Sequence, residues 1–425
     1  MITQEKKQYY AHKVQHNGTR ALSVVNWTIG AILVGIIVGL FAGSFGLSMR
    51  YVIKTRETYP WLIYLLPVGA IIITFIYKKI LKVKDSGTNT VIAAIQSDEV
   101  LPLRLAPLIY ISTLITHLVG GSAGREGAAL QMGGAIGNGI GRAFKLNSTD
   151  KKTMIMCGMS AAFSALFGTP MAAAIFSMEV ISVGIMHYAA LVPCVISSLV
   201  ARAIASYLGL HAEQYPIGAI PKFGIKNAII ICLFAILCGF VSIVFCLFMH
   251  KYESFLSNKL KNPYIKGLVG GTSVLLLTLI VGSQTYNSTG SAIIESCFTG
   301  ATIGLEVFVL KIIFTTLTLS CGYKGGEIVP TLFIGATLGA AMGPILGLSP
   351  ALLAAVGMGA LFCGVTNCPV ASLLICFELF GYEPMPYFLL GVSFSYWVSG
   401  YSGLYRAQKI VYSKYKSNYI DKHVQ

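Results

Sequence analysis

Charge is what this chain has least of. Only 11% of its 425 residues are Asp, Glu, Lys or Arg, and only 16 are acidic. An ordinary soluble domain carries about twice that charged fraction. With 55% hydrophobic residues and a mean hydropathy of +0.73, a water-soluble globule is excluded and an integral membrane protein is predicted. Clustered metal ligands are lacking too: the seven His are scattered, and the ten Cys are single residues without a Cys-x-x-Cys. No metal site, cofactor or disulfide framework is therefore predicted. An intramembrane enzyme needs a nucleophile with its base or a metal cluster, and neither a His-Glu-x-x-His nor a paired His and Asp constellation occurs. Ser122, close to Glu126, reads as a helix-start residue rather than a nucleophile. A cleavable signal peptide is not expected, because the first twenty residues are polar and basic and the first apolar stretch is itself the insertion signal.

Basic residues are not lacking, and their placement decides what the net charge of +15 means. They sit in short loops and tails: Lys6, Lys7, Lys13 and Arg20 before the first apolar stretch, Lys78, Lys79, Lys82 and Lys84 after the second, and Lys409, Lys414, Lys416 and Lys422 at the end. That is the positive-inside pattern of a membrane protein and not a nucleic-acid footprint. Both termini are expected in the cytoplasm. The loop 283–289 has no basic residue and follows a cluster at Lys251, Lys259, Lys261 and Lys266, so it is expected to face outward.

What is present is duplication. The segment from Gly158, GMSAAFSALFGTPMAAAIFSMEV, recurs from Gly357 as GMGALFCGVTNCPVASLLICFEL, with seven identities at matching offsets. Upstream, GREGAALQMGGA from Gly124 matches GGEIVPTLFIGA from Gly325. Transporters are commonly built from two such repeats that share a substrate site near mid-membrane. The predicted division is a cytoplasmic segment 1–24, a first membrane repeat 25–210, a linker 211–226, a second repeat 227–408 and a cytoplasmic tail 409–425. Apolar stretches such as 153–208 and 302–400 are too long for one span and too interrupted for one straight helix, and the 45 Gly residues concentrate in them, so broken and re-entrant helices are expected.

A carboxylate inside a bilayer is costly to hold charged and marks a functional or paired position. Glu126, Glu179, Glu327 and Glu378 lie in or at the edges of apolar stretches as two repeat-related pairs. Glu179 and Glu378 each follow a shared Pro, at Pro170 and Pro369, by nine residues, and read as helix caps or anchors. Glu126 and Glu327 stand beside glycines at the start of apolar runs. A helix start offers unpaired N–H groups and about half a positive charge, enough to attract an anion without holding it as tightly as a full Arg or Lys.

These motifs resemble those of the CLC chloride channel and transporter family. GGSAGREGAALQMGGAIGNGIGR, from Gly120 to Arg142, is similar to its Gly-x-x-Gly-Arg-Glu-Gly signature, and GGEIVP, from Gly325 to Pro330, to its later Gly and Pro motif. DSGTNTVIAAI, from Asp85 to Ile95, resembles the family's Gly-Ser-Gly-Ile-Pro segment with Asn89 in place of Pro, and SGLYRA around Tyr405 resembles the segment carrying its anion-binding tyrosine. The resemblance covers about three-quarters of the chain and matches the bacterial type without cytoplasmic nucleotide-sensing domains. It implies an all-α polytopic fold of two inverted-topology repeats, a homodimer, and a multi-pass place in the plasma (inner) membrane. It also implies halide and proton as substrates, Glu126 as the gating glutamate, and an anion site around Ser86, Gly87, Thr88, Gly124, Arg125, Gly127, Ile328 and Tyr405, with Glu327 a second proton-transfer group.

Departures from the family pattern narrow the branch. Chloride/proton exchangers of this family carry an inward-facing glutamate just after the residue matching Glu179; here that position is Val180. They have an aliphatic residue where this chain has Glu327, and a Glu there resembles the fluoride/proton antiporter branch. Against it, that branch has Met near the Ser86 position, where this chain keeps Ser, or Gly87 or Thr88 if a one-residue gap is allowed. Fluoride is strongly hydrated and needs close donors; Ser86, Thr88, Asn89 and Thr90 supply several, or cap a helix. Fluoride/proton antiport is the favoured expectation, with a chloride channel or chloride/proton exchanger, an organic-solute transporter and an intramembrane enzyme as the alternatives.

Overall fold

The computed structural model describes residues 4–81, 86–97, 99 and 101–424, without the side chains of 4–23 and 81. Lys82, Lys84 and Asp85 lie outside the described residues, as do the side chains of Lys6, Lys7, Lys13 and Arg20. The fold is helical. The first repeat holds α1 (Gln4–Thr58), α2 (Leu66–Ile76), α3 (Thr88–Gln96), α4 (Leu105–Leu118), α5 (Glu126–Ala143), α6 (Ser148–Phe167), α7 (Pro170–Glu179) and α8 (Leu191–Tyr207). The second holds α9 (Ile225–Lys259), α10 (Pro263–Val281), α11 (Ser291–Ser296), α12 (Glu306–Ser320), α13 (Ile328–Leu346), α14 (Pro350–Thr366), α15 (Pro369–Phe380) and α16 (Met385–Val398). The long apolar stretches are thus broken where Gly, Pro and polar residues interrupt them.

Among the described residues six helices are long and apolar enough to cross a membrane, within Val24–Thr58, Pro60–Ile80, Tyr188–Tyr207, Ile225–Lys259, Pro263–Val281 and Ile328–Leu346. Others fall short. α7 has 10 residues and α15 has 12, about 15–18 Å of helix against about 30 Å of hydrocarbon. Such helices must end inside the protein, and their bare N–H groups need partners there.

Each finds them in the other repeat. The Glu179 carboxylate, at the end of α7, accepts from the N–H groups of Val370 (3.1 Å) and Ala371 (2.8 Å) at the start of α15. Glu378, near the end of α15, accepts from Met171 (3.0 Å) and Ala172 (2.9 Å) at the start of α7. The anchor reading of these two glutamates holds, with the addition that each caps its counterpart's helix. Reciprocal capping of this kind requires α7 and α15 to run antiparallel about a two-fold axis, so the two repeats have inverted topology.

At the centre α5 packs on α6 and α13 on α14. Gly133 lies against the Gly158 carbonyl in the first repeat and Gly335 against the Gly357 carbonyl in the second, and a Cβ at either would strike main chain. Small residues here let the backbones touch, the usual way of packing helices where lipid removes the hydrophobic drive. The tail adds a feature that the helical reading did not foresee. β1 (Ser182–Val183) pairs in parallel with β2 (Lys409–Tyr412), which pairs antiparallel with β3 (Tyr419–His423).

Candidate functional site

The starts of α5 and α13 meet head to head. Gly124 and Gly326 exchange both main-chain hydrogen bonds, each 2.7 Å, in an isolated antiparallel bridge. A second reciprocal pair lies beside it: the Ser122 N–H donates to Thr318 Oγ1 (3.1 Å) and the Lys324 N–H to Thr116 Oγ1 (3.2 Å). Both contacts relate residues 202 apart, the separation of Gly133 and Gly335 as well. Matching Glu to Glu in the sequence gave 201. The structural register therefore sets Arg125 opposite Glu327 and Glu126 opposite Ile328, and corrects the pairing of the two glutamates as repeat equivalents. Glu126 is the first residue of α5, whereas Glu327 is the N-cap of α13.

That offset sends the two carboxylates to different faces. Glu126 is fully buried, with Arg125 Nε at 3.0 Å from Oε1 and the Arg125 N–H at 3.2 Å from Oε2. Arg125 opens on a vestibule of about 770 Å³ whose walls include His211, Glu213, Tyr215, Thr289 and Glu295. Glu327 instead lines a vestibule of about 500 Å³ together with Ser86, Gly87, Asn89, His250, Glu253 and Arg406. Both cavities border the Gly124–Gly326 rung, the first through Arg125 and Val329 and the second through Gly325 and Glu327.

At the rung, Gly127 makes room. A Cβ there would lie 3.1 Å from Glu327 Oε2 and 3.4 Å from Thr88 Oγ1, so a carboxylate and a hydroxyl converge on the start of α5. The Thr88 and Tyr405 hydroxyls are each 1% exposed or less and make no hydrogen bond among the described residues. Leaving a buried donor unmade costs about 1–3 kcal/mol, which makes these two hydroxyls available to an anion that has shed its water. Of the residues expected here, Gly87 is the N-cap of α3 with φ +68°, Thr88 follows as its first residue, and Ile328 is the buried first residue of α13. Ser86 is exposed in the Glu327 vestibule, its N–H bonded to Thr90 Oγ1 (2.8 Å). Thr88, not Ser86, is the buried hydroxyl of this segment. Asn89, in the family's proline position, accepts from the Ala407 N–H (2.9 Å) and ties α3 to the Tyr405 segment.

Other expectations resolve plainly. Gly120 to Gly124 has the spacing of a Gly-x-Ser-x-Gly nucleophile turn, yet Ser122 Oγ is paired with the Thr315 hydroxyl (3.1 Å) and not with a base. The Val180 carbonyl accepts from Gln408 Nε2 (3.0 Å), which also bonds the Thr366 carbonyl (2.9 Å). Sequence reasoning missed Glu213. Its carboxylate lies 2.6 Å from Arg125 Nη2, 88 residues away in the chain.

Comparison with known proteins agrees with this arrangement. Residues 69–400 match the family described as Voltage gated chloride channel. The chain belongs to that family. A chloride/fluoride channel protein of Pseudomonas syringae pv. tomato is 34% identical over 398 residues, 92% of this chain and 88% of its own. A voltage-gated ClC-type chloride channel ClcB of Salmonella typhimurium is 25% identical over 85% of this chain and 92% of its own. A crystal structure of a CLC-type fluoride/proton antiporter superposes with a TM-score of 0.88 at 30% identity, covering 91% of this chain and 98% of that one. A slow cyanobacterial Cl⁻/H⁺ antiporter shares the fold, at TM-score 0.77 and 19% identity over 88% of this chain and 94% of that one. The chain is thus a CLC-family membrane protein and a halide transporter.

Proposed function

We propose that this CLC-family protein exchanges fluoride for protons, with Glu126 as the gate and Glu327 as a second proton-transfer group. The observation that carries the reading is the pair of carboxylates at two opposed helix starts, Glu126 buried behind Arg125 of the larger vestibule and Glu327 lining the smaller one, with the Thr88 hydroxyl beside the start of α5. Glu126 has no protein cation other than Arg125 within ion-pair distance among the described residues, so protonation weakens its hold on one residue only. A carboxylate that competes with a halide for the helix start exchanges places with it as it gains and loses a proton, which couples the two movements. Glu327 supplies on the other face the acid that Val180 does not. The Thr88 hydroxyl, buried beside the start of α5, favours fluoride, whose hydration shell only close donors replace. Likeness to the CLC-type fluoride/proton antiporter and to the chloride/fluoride channel protein supports the same choice.

The protein works as a homodimer in the plasma membrane with both termini and the Glu327 vestibule on the cytoplasmic side; His250, Lys266, Lys324 and Arg406 around that vestibule collect anions there. The Arg125 vestibule then faces outward, as the basic-free loop 283–289, which contributes Thr289 to it, requires. The test is flux from liposomes loaded with fluoride or chloride, with anion efflux and pH recorded together. Fluoride-driven proton movement that Glu126→Gln and Glu327→Gln abolish is expected. Equal or faster chloride flux without protons rejects antiport in favour of a chloride channel.

A further inference from the structure

The Arg125 guanidinium presents a problem for a transporter, because a full cation at the mouth of the pathway traps an anion. Glu126 neutralises it only while ionised. Glu213 offers a second carboxylate, with Oε1 at 2.6 Å from Arg125 Nη2 and Oε2 accepting from the Tyr215 hydroxyl at 3.0 Å. It belongs to the linker between the repeats and is 31% exposed, against 14% for Arg125. The linker is held in place at this point: the Tyr215 N–H donates to the Leu379 carbonyl (3.1 Å), and the Tyr215 ring stacks on Phe298 with centroids 5.0 Å apart.

From this geometry we infer that Glu213 is a positioning residue that keeps Arg125 paired while Glu126 is protonated, so that the halide meets a dipole-lined helix start and not a bare guanidinium. The inference rests on the reading of Glu126 as the gate. Counting formal charges, Arg125, Glu126 and Glu213 sum to −1 with Glu126 ionised and to 0 with it protonated. Without the Glu213 carboxylate the same states carry 0 and +1. The anion-binding state would then hold its ion through a direct cation contact, gaining affinity and losing release rate together. For a half-exposed pair of this kind the effect is about five- to tenfold.

The experiment is the halide dependence of flux through the full-length protein in liposomes, for wild type, Glu213→Gln, Glu213→Asp and Tyr215→Phe. The glutamine variant lowers both KM and maximal turnover about five- to tenfold, leaving their ratio near the wild-type value. Aspartate restores both towards wild type. Phenylalanine at 215, which removes the hydroxyl that orients Glu213 and keeps the ring, moves KM and turnover the same way by a smaller factor, and decides the matter if the glutamine variant fails to fold. Wild-type kinetics in both Glu213→Gln and Tyr215→Phe, or a fall in turnover with KM unchanged that aspartate does not rescue, overturns the inference alone. Absence of halide flux from the wild type strikes at the transport reading, and this inference falls with it.

Discussion

Replacing Glu179 by alanine separates an anchor from a proton carrier, because the two roles predict losses in different measurements. The carboxylate accepts two main-chain N–H groups, and hydrogen bonds to a charged group contribute about 1.5–3 kcal/mol each. The two donors are not equally dependent on it. Val370 is 45% exposed, whereas Ala371 is 0% exposed, so the carboxylate matters most to the Ala371 N–H. Alanine therefore costs close to one full bond plus part of a second, about 2–4 kcal/mol, a sizeable share of the roughly 5–15 kcal/mol that holds a protein folded. Glutamine keeps one acceptor oxygen but turns an amide donor towards an N–H, and loses about half as much. The assay is unfolding of the detergent-purified protein by heat or denaturant, paired with the anion-to-proton ratio in liposomes. Glu179→Ala and Glu378→Ala each lower stability, their combination costs less than the sum because each cap steadies the other's helix, and Glu179→Gln leaves the coupling ratio unchanged. Stability within about 0.5 kcal/mol of wild type, or a changed coupling ratio at unchanged stability, refutes the anchor and makes Glu179 a transport residue.

Further outcomes follow from other parts of the structure. Thr88→Val removes the buried hydroxyl at the start of α3 and raises the fluoride KM about tenfold, one lost hydrogen bond to an anion; an unchanged KM in liposome flux places the halide elsewhere. Gly133→Ala drives a methyl into the Gly158 carbonyl and abolishes the monodisperse peak on size exclusion, whereas Gly347→Ala, where a Cβ meets nothing within 4 Å, costs only the strain of a positive φ and leaves a folded peak. Lys414, in the tail, donates to Asn367 Oδ1, the Tyr396 carbonyl and Ser399 Oγ, yet burial lowers its pKa from 10.5 to about 8. The unfolded chain then binds more protons between those values, so stability rises as pH increases from about 8 towards 10.5. That rise is absent in Lys414→Met, measured by thermal unfolding across the same range; an equal rise in both proteins removes Lys414 as its source.

The sequence made the duplication, the helix starts at the two glycine motifs and the paired anchors legible, because each is a local signal repeated at a fixed separation. Pro170 and Pro369 do stand at the first helical positions of α7 and α15. The partner of each anchor was not legible: a cap is read against its own segment, whereas Glu179 satisfies a helix start 191 residues away and Glu378 one 207 away. The one-residue register between Glu126 and Glu327 was hidden for a related reason, since alignment rewards identical letters while the backbone pairs Gly124 with Gly326. Glu213 carries no motif, and its meeting with Arg125 depends on how the linker crosses the site. The strands of the tail are short, and their partner β1, between α7 and α8, contributes only two residues, too few to leave an alternating pattern.

The rung between Gly124 and Gly326 limits how this molecule is able to move. Pulling the two helix starts apart breaks two main-chain hydrogen bonds between buried glycines, a cost of several kcal/mol, while turning a carboxylate about its own torsions costs about one. The cheap motion is the swivel of an acid in a frame that stays still. With Glu126 and Glu327 as the gates proposed above, passage from one side to the other is governed by two small levers mounted on a common axle, and not by the rocking of whole halves.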